Sequence, residues 1–288
     1  MVALGVFDGV HLAHRAILGA AVSRARELGV QALACTFDPH PMEVLQPDRT
    51  PLPLTTIPER LDLMAETGLD GAVVIAFTSA LAAMEPEGFV KDVLVERLRA
   101  RAVVVGFNHR FGRGARGDAA MLASLGARLG FRAHVVDPLQ VDGVPVSSTA
   151  VRAALQRGDL AVAARFLGRD YSVGGTVVHG AGRGRTLGFP TANVQPDRPV
   201  LLPAGVYACD LVLDGRAHHA VVNIGVRPTF GEAATTVEAH VLDFSGDMYD
   251  RRVVLRFRER LRPERTFTAV DELKAQIAED IREARARR

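Results

Sequence analysis

The feature that most restricts the fold is a change of hydrophobic period near Gly168. Before it, apolar runs alternate with stretches of helical spacing, whereas after it short runs follow one another across glycine- and proline-bearing gaps. The first pattern reads as strands over 2–7, 31–37, 72–77, 102–107 and 131–136, with helices over 13–28, from a Thr56 cap to Ala65, and over 85–98 and 119–129. Ile17, Leu18, Ala21, Val22, Ala25 and Leu28 share one helical face, as do Phe89, Val90, Val93, Leu94 and Leu98. Such alternation requires a mostly parallel, Rossmann-like sheet with helices on both faces, and it places ligands beyond the carboxyl ends of the strands. The second pattern gives strands over 172–179, 186–194, 205–213, 218–224, 235–244 and 253–258, with Asp214-Gly215 as a type I′ hairpin signal. Six such runs favour a small closed antiparallel barrel, because closure removes exposed edges. A final helix starts near Thr268 with Leu273, Ile277 and Ile281 on one face. The expected organisation is an α/β domain over 1–168 and a barrel with a C-terminal helix over 169–288.

Chemistry-bearing residues cluster where strands of the first half end. GVFDGVHLAHR (5–15) follows the first strand, and its His11 and His14 stand three apart where a helix begins, so both imidazoles can face an anion at the positive helix end. Taken by itself, a histidine pair at this spacing is more often surface decoration. TFDPHP (36–41) is a proline-stiffened turn bearing His40, and GFNHRFGRGARGD (106–118) is a mobile cationic loop. In VSSTAVR (146–152), Ser148 reads as an N-cap with Thr149 opening a helix and Arg152 one turn on, so hydroxyls and a guanidinium converge on one anion. In the second half, GRGRTLGFPTANV (182–194) joins Gly182, Gly184 and Gly188, which let backbone N–H groups approach an anion, to the donors Arg183 and Arg185. Strand alternation then sets the Thr191 hydroxyl and Asn193 amide on one face, two neutral oxygen donors suited to Mg²⁺ shared with substrate phosphates. Glycines and arginines alone would also describe a surface hairpin.

The order of these words is informative. GRGRTLGFPTAN resembles the signature of riboflavin kinases, and the resemblance continues through GVY (205–207), NIGVRPTF (223–230) and TVEAHVLDF (236–244). GVFDGVHLAH resembles the GxFDGxHxGH motif of the nucleotidyltransferase domain in bacterial FAD synthetases, with Ala13 where that motif has glycine. TFDPHP, GFNHRFG and VSSTAVR are similar to further blocks of that domain, with His109 at a position usually aromatic. The resemblance implies a bifunctional enzyme that phosphorylates riboflavin to FMN in the barrel and adenylylates FMN to FAD in a nucleotidyltransferase-like first domain, with ATP as co-substrate and Mg²⁺ as cofactor. It implies that Gly5, Phe7, Asp8, Gly9, Ser147, Ser148, Thr149 and Arg152 surround ATP phosphates with His11 and His14 as catalytic groups. Phe37, His40, Asn108 and Tyr207 would lie near flavin, Gly182 to Gly188 would cradle a second triphosphate, Thr191 and Asn193 would hold the metal, and Glu238 would be the general base. Ala13 and His109 motivate one alternative, a riboflavin kinase with an inactive first domain; a non-catalytic flavin-binding regulator is another.

A net charge of +2 over 288 residues gives no argument for nucleic acid, and no basic face carries interleaved aromatics. Cys35 and Cys209 stand apart within apolar runs, as buried free thiols of a reducing compartment do. No apolar run reaches membrane-spanning length. A cytoplasmic enzyme of small molecules is expected, without membrane partners, as a monomer or weak homo-oligomer.

Overall fold

The structure is a computed structural model, and it describes residues 1–180, 183–229 and 232–286. Contacts divide the chain into two compact units, Met1–Ser148 and Thr149–Arg288, so the two helices before Gly168 (Ser148–Gln156 and Leu160–Leu167) fall essentially within the second unit.

The first unit is a parallel sheet of β1 (Val2–Leu4), β2 (Leu33–Asp38), β3 (Gly71–Ala76), β4 (Ala102–Gly106) and β5 (Arg132–Val136) in the order β3-β2-β1-β4-β5. Period-2 alternation sends Leu4, Cys35, Val103 and Val105 into one core and Ala3, Ala34, Ala102 and Val104 into the other. On the second face the small alanines admit helix α1 (Leu12–Leu28), which buries Ile17, Leu18, Ala21, Val22 and Ala25 and ends on left-handed Gly29. Leu28, expected on that face, is 49% exposed because it sits in the last turn as the helix leaves the sheet. The chain winds outward from β1 to β3 and then returns to the other side of β1 as β4, which opens a crevice at the carboxyl ends of β1 and β4. Two short helices, α2 (Pro41–Leu45) and α3 (Ile57–Ala65), border that end, the latter with a Thr56–Glu59 capping box. The helix expected over 85–98 is one α-turn, Pro86–Gly88, continuing as a π-helix over Phe89–Arg97; Phe89, Val90, Val93 and Leu94 still point inward.

The second unit closes β8 (Tyr171–Val178), β9 (Ala192–Pro196), β10 (Gly205–Leu213), β11 (Arg216–Thr229), β12 (Glu232–Val241) and β13 (Arg252–Pro263) into an antiparallel barrel in the order β10-β11-β12-β9-β8-β13; the ribbon β6 (Gln140–Val141) and β7 (Val144–Pro145) precedes it. The β10–β11 turn has φ 49° at Asp214 and 77° at Gly215, the backbone a type I′ turn needs. One strand expectation fails: residues 186–194 are not one strand but the end of a short helix, Arg183–Leu187, followed by β9. Phe189 N–H donates to the Gly184 carbonyl at 2.9 Å and closes the helical turn, and Pro190, without an N–H, delays the ladder.

Buried Tyr207, Leu211, Val222, Ile224 and Phe257 fill the barrel. Outside it, Val206, Ala208 and Val221 pack under Ala284 of the C-terminal helix Val270–Ala286. That helix is also clamped by charge: buried Asp280 receives Arg262 Nε and Nη2, each at 2.8 Å, and the Gln276 amide at 2.9 Å. Removing one partner of such a pair strands the other. Asp280→Ala is therefore expected to destabilise the second unit by about 2–4 kcal/mol. Urea unfolding followed by tyrosine fluorescence reads this unit alone, since Tyr171, Tyr207 and Tyr249 are the only tyrosines and the chain has no tryptophan.

Candidate active site

In the first unit the chain leaves β1 through Gly5 into a turn with φ 54° at Phe7, 86° at Gly9 and 39° at Val10. Two non-glycine residues hold this left-handed backbone because their side chains are fully buried and the packing over-determines them. Only glycine fits at position 9, where a Cβ would also stand 2.8 Å from Leu54 Cδ1. Asp8, 2% exposed, anchors the turn: its carboxylate accepts from Leu54 N–H at 3.0 Å, from Thr55 N–H at 3.0 Å and from the Thr55 hydroxyl at 3.1 Å. The side chain that the motif places at phosphate is thus a tie within the protein. Its carbonyl accepts from the Ser148 hydroxyl at 2.9 Å. Ser148, expected as an N-cap, is instead the first residue of its helix and reaches the turn. Thr149 and Arg152 continue that helix in the second unit.

The turn delivers the histidines. His11 caps α1, its Nδ1 accepting from His14 N–H at 3.3 Å, which leaves Nε2 as the protonated nitrogen of the neutral ring. The two imidazoles stack with centroids 3.5 Å apart and 15° between planes, and Phe7 meets His14 edge-on at 5.3 Å. Burial first, then His11 and the Arg60 guanidinium, hold His14 well below the ordinary imidazole pKa, so it is neutral at pH 7 in the free protein. His14 Nδ1 is buried without a hydrogen-bond partner. A neutral His14 stacked on His11 at a helix N-terminus suits an incoming polyanion, which supplies the counter-charge that its protonation needs.

The flavin candidates of this unit separate. Phe37 packs in the core edge-on to Phe77 at 5.6 Å, and His40 caps α2 by accepting from Met42 N–H at 3.1 Å. Asn108 is exposed beyond the end of β4, beside Phe107 at 52% exposure. His109 stacks on Phe111 at 6.0 Å with Nε2 buried and without a partner, and burial pulls its pKa down to about 4.

In the second unit, barrel register builds a row. Asn193 in β9 lies opposite Glu238 in β12, which lies opposite Asn223 in β11. All three are partly exposed, on the face away from buried Ala192, Val194, Val237 and Ala239. Thr191, two residues before Asn193, precedes the strand and joins the same side. The glycine loop lies directly on this pair: a Cβ on Gly180 would stand 2.0 Å from the Asn193 amide nitrogen, and one on Gly184 would stand 3.0 Å from the Thr191 hydroxyl and 2.4 Å from the Phe189 carbonyl. Gly188, at φ 89°, turns the chain back. Gly182 lies outside the described residues, as do the side chains of Arg183 and Arg185. Tyr207 is in the barrel interior; its hydroxyl donates to the Pro203 carbonyl at 2.5 Å, and burial pushes its pKa up to about 12.

Beside Thr191 opens a cleft of about 400 Å³ lined by Val177, Pro190, Phe244, Met248 and Tyr249 among others. Tyr249 stacks on His179 at 3.9 Å and 25° at its rim. Sequence reasoning missed both rings; the signal was an aromatic residue in the loop SGDMYD directly after the Glu238 strand, where a rigid scaffold presents a variable loop. No group of three or more His, Cys, Asp or Glu poised for a metal occurs among the described residues. The glycine cradle over two neutral oxygen donors fits a cation that takes its remaining ligands from substrate phosphate and water.

Residues 1–150 match the FAD synthetase family model and residues 167–287 the riboflavin kinase family model, so the chain is of the class of two-part flavin-nucleotide transferases. Across 98% of its length it is 40% identical to a bifunctional riboflavin kinase/FMN adenylyltransferase of Escherichia coli K12, covering 90% of that protein. It is 39% identical to one of Pseudomonas fluorescens over 98% of the chain and 91% of the relative, and 34% identical to one of Bacillus subtilis over 99% and 91%. The chain belongs to the bifunctional riboflavin kinase/FMN adenylyltransferase family. A solved structure titled a macrolide-efflux protein from Streptococcus pneumoniae shares the fold, with a TM-score of 0.91 and 28% identity over 99% of this chain and 93% of that one. Among the described residues no helix is long and apolar enough to cross a membrane.

Two outcomes follow from the geometry. Gly180→Ala and Gly184→Ala force the loop off Asn193 and Thr191, and a displacement of about 1 Å costs on the order of a hundredfold in rate; FMN formation is expected to fall by about that much while tyrosine fluorescence stays native. His109→Phe removes a stranded nitrogen and is expected to stabilise the first unit by about 1–2 kcal/mol at pH 7. Because the folded His109 pKa lies below the unfolded one, the wild type loses stability as pH falls from about 6.5 toward 4, a loss the phenylalanine variant lacks. Denaturant melts of both proteins at pH 5 and pH 7 check this.

Proposed function

We infer that the chain carries out both reactions of its family, phosphorylation of riboflavin to FMN at the barrel and adenylylation of FMN to FAD, with release of pyrophosphate, at the parallel sheet. The observation that carries the reading is the register that sets Glu238 beside Asn193 under the glycine loop. A primary alcohol is a poor nucleophile at neutral pH, and a carboxylate within hydrogen-bond reach of the riboflavin 5′-hydroxyl accepts its proton as oxygen meets the γ-phosphorus. Alignment and charge stabilisation supply most of the acceleration in a loose phosphoryl-transfer transition state. The glycine loop contributes backbone donors, and Thr191 and Asn193 would hold Mg²⁺, which neutralises phosphate charge when bound. The cleft lined by Tyr249, whose ring stacks on His179, suits a planar ring, adenine or isoalloxazine.

At the sheet, an FMN phosphate oxygen attacks the ATP α-phosphorus and pyrophosphate leaves. His11 and His14 offset the charge growing on the leaving group, with Ser147 and Ser148 as further phosphate donors and Asn108 toward the flavin. The division of labour is adenylyl transfer over 1–168 and kinase over 169–288. Matches to both family models leave a kinase with a silent first domain, or a non-catalytic flavin regulator, without support. The buried free thiols Cys35 and Cys209 suit a reducing cytoplasm, and the partners proposed are riboflavin, FMN and ATP alone, with neither nucleic acid nor membrane.

Glu238→Gln is expected to lower FMN formation by about a hundredfold, in the range seen for losing a general base, and to leave FAD formation from supplied FMN near wild type. His14→Ala is expected to do the reverse. Chromatographic separation of riboflavin, FMN and FAD reads both; parallel loss of both activities in either variant contradicts separate sites.

A further inference from the structure

We propose that Arg60 is a positioning residue for adenylyl transfer: from α3 it reaches beneath the GVFDG turn and ties that turn, with the histidine pair that follows it, to the end of β2. The proposal rests on reading the first unit as the adenylyl-transfer unit. No motif in the sequence includes Arg60, yet it is 3% exposed, an unusual setting for an arginine away from a site.

Its guanidinium meets three residues on two elements. Nη2 lies 3.5 Å from the Asp8 carboxylate on the turn, and Nη1 donates to the Thr36 hydroxyl and to the Phe37 carbonyl on β2, each at 3.4 Å. Thr36 in turn donates to the Val6 carbonyl at 2.8 Å, so the relay returns to the turn itself. Distances decide between a plain counter-ion and a positioning charge. Asp8 already accepts shorter bonds from Leu54 and Thr55, between 3.0 and 3.1 Å, and a guanidinium serving chiefly to neutralise it would sit in a closer, two-pronged pair. Arg60 instead divides its contacts between the turn and β2, and its field reaches His14. Within the unit, the charged and titratable groups that act on His14 are His11 at the cap of its helix and Arg60 on α3; Arg15 turns away to Glu66 at 2.7 Å. Arg60 therefore opposes protonation of His14 until a polyphosphate arrives, and it fixes where the ring stands.

The test uses the full chain, with FMN formation at the barrel as an internal control. Arg60→Gln removes the charge: FAD formation from supplied FMN is expected to fall by about a hundredfold, FMN formation to hold, and the NMR titration midpoint of the His14 ring to rise by about half a pH unit or more. Arg60→Lys keeps the charge and loses the fork to Thr36 and Phe37: the His14 midpoint should hold while kcat for FAD falls about tenfold. Should the glutamine variant not fold, the lysine variant decides alone, and wild-type kcat there overturns the proposal. A folded glutamine variant with wild-type FAD formation, or one that loses rate with the His14 midpoint unmoved, overturns it too. Absence of FAD formation in the wild type would instead remove the adenylyl-transfer reading, which the two variants do not address.

Discussion

A closed barrel has no free edge, so its register cannot slip, and the chemistry of the second unit hangs on that constraint. Because β12 is paired on both sides, Glu238 is set between Asn193 and Asn223 by ladders that run through the whole barrel. A side chain on a loop would have to be ordered at each encounter with substrate. Here the ordering is done by the same pairing that buries Val237 and Ala239. The glycine loop in turn reaches the Thr191–Asn193 pair only because positions 180 and 184 lack a Cβ.

The first unit solves a related problem by another route. A parallel sheet leaves its ligands at strand ends, where the connecting turn has no ladder to hold it. Asp8 replaces the ladder: a buried carboxylate gathers N–H and O–H donors from residues 54 and 55 and so fixes a turn whose backbone is strained at Phe7 and Val10. The histidines are then aligned by the helix that the turn begins. In both units the protein's own backbone and side-chain hydrogen bonds hold the candidate site residues in place.

Period alone carried most of the fold, because strand–helix alternation followed by strands with tight turns admits few architectures. The helix 119–129, the strand 205–213 and the Asp214-Gly215 turn match the structure closely, each being a strongly patterned segment with explicit end signals. The failures lie where local signals compete. Residues 186–194 look like a strand, but the span opens on the last turn of the helix Arg183–Leu187, closed by the Phe189–Gly184 bond, and pairs only from Ala192. Within the candidate sites, motif order marked the histidines that stack and the Asn193 and Glu238 that the barrel register pairs. It could not separate a residue beside a ligand from one that builds the wall: Asp8, Phe37 and Tyr207 turn inward here, each with buried partners that only tertiary structure assigns. Tyr249, His179 and Arg60 had no motif to mark them, since their importance arises from elements brought together by folding.

The central claim is that one chain presents two phosphorus atoms of ATP, the γ at the barrel and the α at the sheet, to successive flavin oxygens. Supplying riboflavin with ATP labelled separately at the α- and γ-phosphates, and locating the labels in the flavins formed, tests it most directly. FMN should carry only the γ label, and FAD should carry the γ label on its flavin-side phosphate and the α label on its adenosine-side phosphate. FAD lacking either label, or FMN labelled from the α position, would contradict the account.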